Sequence, residues 1–252
     1  MDFTLNTYHH LLNALYAEGF KFQSFSIFMQ TPVARSIVLR HDVDRLPINA
    51  LKTARLESDL GISASYYFRA VSESWDEAII SEISKLGHEV GYHYENLSFC
   101  NGRTSLAWEN FQTNLAKLRA LVPVTSICMH GSPMSHINNL DLWQTYDYKT
   151  LGVVGEPYLD VDYSEVFYLS DTGRSWNHSR ASIRDKVDSG FSIPVSSTGH
   201  LIDLARQGQL PDQIMINTHP QRWEDRPLHW LKELVWQNVK NRVKWALFKL
   251  RS

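Results

Sequence analysis

The sequence predicts an α/β barrel built on a parallel sheet, and three observations predict it. From residue 36 onward, short apolar runs of strand character alternate with helical patterns. Several of those runs end in an acid or a histidine, where a sheet of this kind places its chemistry. The 252 residues, 43% of them apolar, suffice for one large core. Strands alternating with helices imply crossovers that cover both faces of a parallel sheet. With about seven such units, closure into a barrel is more economical than an open sheet.

In chain order, an amphipathic helix is expected over 3–19, where Tyr8, Leu11, Leu12, Leu15 and Tyr16 share helical spacing and Gly19 supplies a stop. Strands are expected at 36–43, 62–69, 88–94, 125–130, 151–155, 166–171 and 213–218. Helical patterns lie between them at 47–60, 76–86, 104–121, 138–146, 179–187 and 199–207. There is no internal repeat and no low-complexity linker. Residues 1–226 read as one catalytic barrel domain, and 227–252 as a basic, apolar C-terminal helix.

Bulk composition narrows the function. A net charge of −2 gives no general reason to expect a nucleic acid partner. Cys100 and Cys128 form neither a disulfide framework nor a zinc-ribbon spacing, which favours a reducing compartment. Residues 1–6 lack the basic and apolar regions of a signal peptide, and no run approaches membrane-spanning length. The expected location is the cytoplasm.

The chemistry concentrates at the end of the first long strand, Ser36-Ile37-Val38-Leu39-Arg40-His41-Asp42-Val43-Asp44. Alternation along a strand puts Asp42 and Asp44 on one face and turns His41 away. Two carboxylates so close repel unless a metal, a cation or a shared proton offsets the cost. Asp44 also suits a cap for the helix opening at Pro47, although a cap does not require two acids. Strand-like runs ending in His93, His130 and His219 bring imidazoles to the same rim. Acids and imidazoles converging there suggest a metal-dependent hydrolase. The bland alternatives are a core histidine at 93 and a turn-shaping histidine at 130. His9, His10, His88, His136, His178, His200 and His229 share no spacing and read as structural or solvated.

Five segments in order, from about residue 36 to 223, resemble the motifs of the polysaccharide deacetylase family, the NodB-homology carbohydrate esterases. They are His41-Asp42-Val43-Asp44, Leu86-Gly87-His88-Glu89-Val90-Gly91-Tyr92-His93, His130-Gly131-Ser132-Pro133, Ser170-Asp171-Thr172-Gly173-Arg174-Ser175-Trp176 and Ile216-Asn217-Thr218-His219-Pro220. The first is similar to the branch that carries HDVD in place of FDDG. The resemblance implies an irregular seven-stranded (β/α) barrel, with Asp42 as general base, Asp44 and His93 as metal ligands, His219 as general acid, and Asp171 and Trp176 walling the sugar pocket. It implies a divalent metal, zinc first and cobalt or nickel next. The implied reaction is N-deacetylation of an N-acylated sugar or glycan, with bacterial surface polysaccharide (O-antigen-like, lipopolysaccharide) biosynthesis as the expected setting. The alternatives are a deformylase or other amide hydrolase acting on a lipid-linked sugar, and a sugar-binding pseudoenzyme without turnover.

Two positions depart from the family. Leu97 stands where a second metal-binding histidine is usual, and His130 replaces an arginine that usually holds the base. Either His130 becomes the third ligand while Arg69 steadies Asp42, or Glu95, two residues beyond His93 and facing the same way, supplies the ligand. The affinity of imidazole for Zn²⁺ favours His130.

The segment from Pro227 holds six of the 25 basic residues against one acid, Glu233, so it carries +5 and the remaining 226 residues carry −7. On a helix, Glu233, Gln237, Lys240, Lys244 and Arg251 form one narrow polar stripe, and apolar residues cover most of the rest. That surface packs on the barrel or on a partner subunit, or lies in a membrane interface against anionic headgroups.

Overall fold

The computed structural model describes residues 1–132, 135–176 and 187–251, the stretch 240–251 as backbone alone. Its sheet contains β1 (Lys21–Gln23), β2 (Ser36–Val43), β3 (Ser65–Phe68), β4 (Glu89–Tyr94), β5 (Ile127–Met129), β6 (Phe167–Ser170) and β7 (Gln213–Thr218). Every pairing is parallel, in the spatial order β5-β4-β3-β2-β7-β6. On one edge β2 is shared: β1 pairs its first half, Lys21 opposite Ser36, and β3 its second, Arg40 opposite Ser65. Among the described residues no ladder joins β5 to β6, so the barrel is irregular and open on that side.

All eight residues of β2 are buried, as befits a strand covered on both faces. They include Arg40, His41 and Asp42, which must find partners in the dark. Gly91 of β4 sits where a side chain is impossible, because a Cβ there would meet the Tyr67 ring of β3 at 2.3 Å. Close packing of that ring therefore depends on the missing side chain.

Most expected elements form, with shorter ends. The N-terminal helix spans Leu5–Ala17, capped by Thr4, and buries Tyr8, Leu11, Leu12 and Leu15, while Tyr16 stays exposed. Helices also occupy Pro47–Asp59, Glu77–Lys85, Thr104–Arg119 and Thr198–Arg206. The expected strand at 151–155 is instead a 3₁₀ turn, Tyr148–Leu151, ended by Gly152 at φ +71° and followed by one bridge, Ser126 to Gly155. The seventh strand is β1, whose three residues are too few to show a period. The pattern at 138–146 forms the 3₁₀ helix Asn139–Gln144. The helix expected at 179–187 falls, save its last residue, outside the described residues.

Helix Pro47–Asp59 opens at Leu46, in left-handed backbone at φ +54° and without a side-chain cap, so Asp44 does not serve as one. The C-terminal helix Pro227–Arg251 follows the short 3₁₀ turn Pro220–Arg222 after β7. It turns Glu233 and Gln237 inward and leaves Leu228, Leu231 and Val235 exposed, the reverse of an apolar face seated on the barrel. No helix among the described residues is long and apolar enough to cross a membrane.

Candidate metal centre

Strand β2 delivers its acids to the C-terminal rim of the sheet. The same alternation that aligns Asp42 with Asp44 places Arg40 beside them. Arg40 grips Asp42 in a fork, Nε to Oδ1 at 2.9 Å and Nη2 to Oδ2 at 2.6 Å, and Asn217 of β7 donates to Oδ2 at 3.0 Å. Burial raises the pKa of Asp42, but Arg40 and then His93 outweigh it, so the carboxyl stays below its usual range. The Tyr158 hydroxyl also accepts from Arg40 Nη2, at 2.8 Å.

Two histidines turn their Nε2 atoms toward Asp44. His93 of β4 donates from Nδ1 to the Cys128 carbonyl at 2.9 Å, which aims Nε2 at Asp44 Oδ1, 3.7 Å away. His130, just past β5, holds Glu95 at 2.8 Å through Nδ1 and brings Nε2 to 3.5 Å from the same Asp44 oxygen. Tying back one ring nitrogen to carbonyl or carboxylate is how proteins orient metal-binding imidazoles. His219, past β7, does likewise: Nδ1 lies 2.6 Å from Asp171 Oδ1 and Nε2 lies 3.9 Å from Asp44 Oδ2.

The charge pattern distinguishes Asp44 from its neighbours. Asp42 has Arg40, Glu95 has Arg69 at 2.5 Å, and Asp171 has Arg222 at 2.6 Å. Among the described residues the Asp44 carboxylate has no arginine or lysine within 4.0 Å and ion-pairs only with the three histidines. Its Oδ2 accepts from Gln221 at 3.2 Å, while its buried Oδ1 has no hydrogen-bond partner. Burial raises the pKa of Asp44, and the histidines more than reverse it, holding the group well below the carboxylate range. Two Nε2 atoms lie 3.5 and 3.7 Å from that orphaned oxygen. A tetrahedral zinc site with bonds near 2.1 Å has ligand–ligand edges of about 3.4 Å. Asp44, His93 and His130 therefore fit a divalent cation, and His219 Nε2 lies 3.9 Å from the other Asp44 oxygen.

The geometry revises four expectations. Arg69 does not hold Asp42. Its side chain forks onto Glu95 and touches Asp44 only at the backbone carbonyl, at 3.3 Å. Glu95 does not face the Asp44 oxygen, because one of its own oxygens is taken by Arg69 and the other by His130 and Ser132. That pairing drives the Glu95 pKa down to about 2 against the opposing effect of burial. Asp171 is fully buried and cannot wall a sugar pocket; it holds His219 instead. Nor is Trp176 its companion. The indole on Asp171 belongs to Trp223, at 2.8 Å, while Trp176 packs against Phe3 and donates to Thr198. A buried aspartate needs donors, and the segment after β7 supplies them: the His219 and Trp223 N–H groups and the Arg222 guanidinium.

Leu97 is part of the core, and His41 points behind the sheet as alternation requires. Arg40, Asn217, Gln221, Arg222 and Trp223 are site residues that sequence reasoning passed over. For Arg40 the signal was present, since it precedes Asp42 by two residues on the same strand face.

No protein-family model and no curated protein matches the sequence. Solved structures of similar fold include a CE4-family pseudoenzyme from Bacillus anthracis, at 10% identity and TM-score 0.46 over 84% of this chain and 62% of that one. A Streptococcus mutans CE4 esterase shows 12% identity, TM-score 0.46, and coverage of 86% and 85%. A Clostridium thermocellum family 4 acetyl xylan esterase in complex with cobalt shows 15% identity, TM-score 0.37, and coverage of 82% and 84%. The chain thus spans less than two thirds of the first of these proteins. At these scores the likenesses carry no conclusion about chemistry, which rests on the site itself.

Proposed function

We propose that this chain is a metal-dependent hydrolase that removes the N-acyl group from an amino sugar of a bacterial surface glycan. The observation that carries the reading is Asp44: a buried carboxylate oxygen with no hydrogen-bond partner and no arginine, faced by two oriented imidazole nitrogens. Asp44, His93 and His130 would hold the cation, with zinc first among candidates and cobalt or nickel next. When bound, it supplies Lewis acidity toward water and an acyl carbonyl.

The chain's own groups complete the chemistry. Asp42, held ionised by Arg40, takes a proton from the attacking water. His219, its Nδ1 fixed on Asp171, presents Nε2 to the leaving nitrogen and donates a proton there. The C–N bond breaks, hydroxide adds to the acyl carbon, and the products are a carboxylate and an amine. Glu95 and the Cys128 carbonyl keep the two ligand histidines aimed.

The test measures metal content of purified protein, then release of acetate or formate from N-acetylated and N-formylated amino sugars. One equivalent of Zn²⁺ or Co²⁺ with metal-dependent release supports the reading. Sugar binding without metal and without release assigns the chain to a binding protein instead.

A further inference from the structure

The C-terminal helix presents an unusual pairing of charge and exposure. At about 100° per residue, Leu228, Leu231, Val235 and Val239 fall on the side opposite Glu233 and Gln237. The polar side is the one turned inward: Glu233 is buried and meets Arg45 at 2.5 Å, and Gln237 is buried beside it. The apolar side faces water, with Leu228 81% exposed, Val235 56%, Leu231 51% and Val239 48%. An exposed apolar row of this kind is unfavourable unless something covers it.

The helix is also fixed in place. The Trp230 indole donates to the Asp2 carbonyl at 2.7 Å, and Arg174 lies over its ring at 4.7 Å. Arg45, which holds Glu233, directly follows the candidate metal ligand Asp44. The exposed row therefore starts at the same rim of the sheet as the site.

Charge selects the occupant. The only acid of the segment, Glu233, is neutralised inward by Arg45, whereas Lys232, Lys240, Arg242, Lys244, Lys249 and Arg251 contribute six cations. A second copy using the same face would bring two such cationic segments together. By the same helical spacing Lys232, Arg242 and Lys249 share the side of the apolar row, while Lys240, Lys244 and Arg251 share that of Glu233 and Gln237. A bilayer with anionic headgroups takes the apolar row into its interface and attracts a segment of charge +5. We propose that helix 227–251 docks this protein on an anionic membrane surface with the rim of the site beside the bilayer. If the hydrolase reading of that site holds, the docking places it against acylated sugars carried at the membrane surface.

The experiment uses the full chain. It is sedimented with vesicles of equal parts phosphatidylcholine and phosphatidylglycerol, and with phosphatidylcholine alone, at low and high salt. Leu231→Glu with Val235→Glu serves as the variant, since both positions face water and the fold does not need them. Binding to the anionic vesicles is expected, weakened by salt and reduced about tenfold or more in the double variant. Three outcomes overturn the proposal: no binding, equal binding by the variant, or equal binding to neutral vesicles. A dimer dissolved by the double substitution, without vesicle binding, gives the face to a second copy and also overturns it. Metal content is measured alongside, so anionic binding by a protein that takes no metal refutes the hydrolase and leaves the docking standing.

Discussion

Strand β2 carries an acid–imidazole cluster on each face, and the two clusters differ in one respect. Behind the sheet, His41 spans Glu57 at 2.8 Å and Thr218 at 2.6 Å, and Glu57 also accepts from the Tyr8 and Tyr66 hydroxyls. Burial raises the Glu57 pKa, but His41 outweighs it and the carboxylate stays ionised. Each of its oxygens is bonded. In front, Asp42 and Asp44 meet His93, His130 and His219, yet Asp44 Oδ1, Arg40 Nη1, Asn217 Oδ1 and Gln221 Oε1 are buried without a hydrogen-bond partner. Residue types alone do not separate a structural network from a functional one. Unsatisfied groups clustered around oriented imidazoles do, since single ones also occur elsewhere, as at Ser36 Oγ at the start of the same strand.

The sharpest way to break that comparison is to remove an acid from each face. Asp44→Asn should abolish stoichiometric metal binding, whereas Asp42→Asn should keep the metal and lower kcat by about 10²–10⁴-fold, the usual contribution of a positioned base. Metal analysis and turnover on one acylated sugar check both. Near-normal kcat in the Asp42 variant would remove the base from the scheme.

Behind the sheet the effect should fall on stability. Glu57→Gln breaks a buried, fully paired network and should cost about 3–5 kcal/mol of unfolding free energy, with metal content in the folded protein unchanged. Denaturant titration reads the first and metal analysis the second. Loss of metal without loss of stability would reverse the roles of the two faces.

The same strand shows why the sequence was partly legible. Period-two alternation separates His41 from Asp42 and Asp44 before any coordinates are seen, and the ends of β4 and β7 identify His93 and His219 equally well. The long strands and helices are readable for the same reason, since burial imposes their periods. Partner choice is not periodic. Glu57 lies mid-helix, and only packing brings it under His41. Arg69 and Arg40 both accompany strand ends, and nothing local shows that Glu95 draws the first away from Asp42. Trp176 and Trp223 each follow an acid or histidine by a few residues, and loop paths decide which reaches Asp171. The three-residue β1 carries too little pattern to register.

Within the front cluster, ligand and support should separate by degree. Glu95→Gln keeps an acceptor near His130 but loses the charge, and should weaken metal affinity by about 10–100-fold, the range for groups that orient a ligand. His130→Ala should weaken it further, because the Nε2 atom itself is lost. Competitive titration with a chelating dye ranks the two variants. A larger loss from Glu95→Gln than from His130→Ala would make Glu95 the ligand.

The last test takes the charge argument to another buried acid. Among the described residues Glu156 has no cation at hydrogen-bond distance; it accepts from the backbone N–H groups of Met129 at 2.8 Å, Tyr158 at 2.6 Å and Leu159 at 3.1 Å. Here burial wins, and the pKa rises from 4.5 to about 7, opposite in direction to Asp42, Asp44 and Glu57. Between those two values the folded protein binds the proton more tightly than the unfolded chain does. The stabilisation that this provides is complete at low pH and is lost as pH rises toward 7. Over that window the loss amounts to about 3 kcal/mol at most. Glu156→Gln cannot titrate, so the unfolding free energy of wild type minus that of the variant should fall from pH 4.5 to 8 and level off. Taking the difference cancels the other titrating groups. A difference that stays flat or grows with pH would mean that Glu156 is ionised in the fold, with the three backbone N–H groups sufficient to hold its charge.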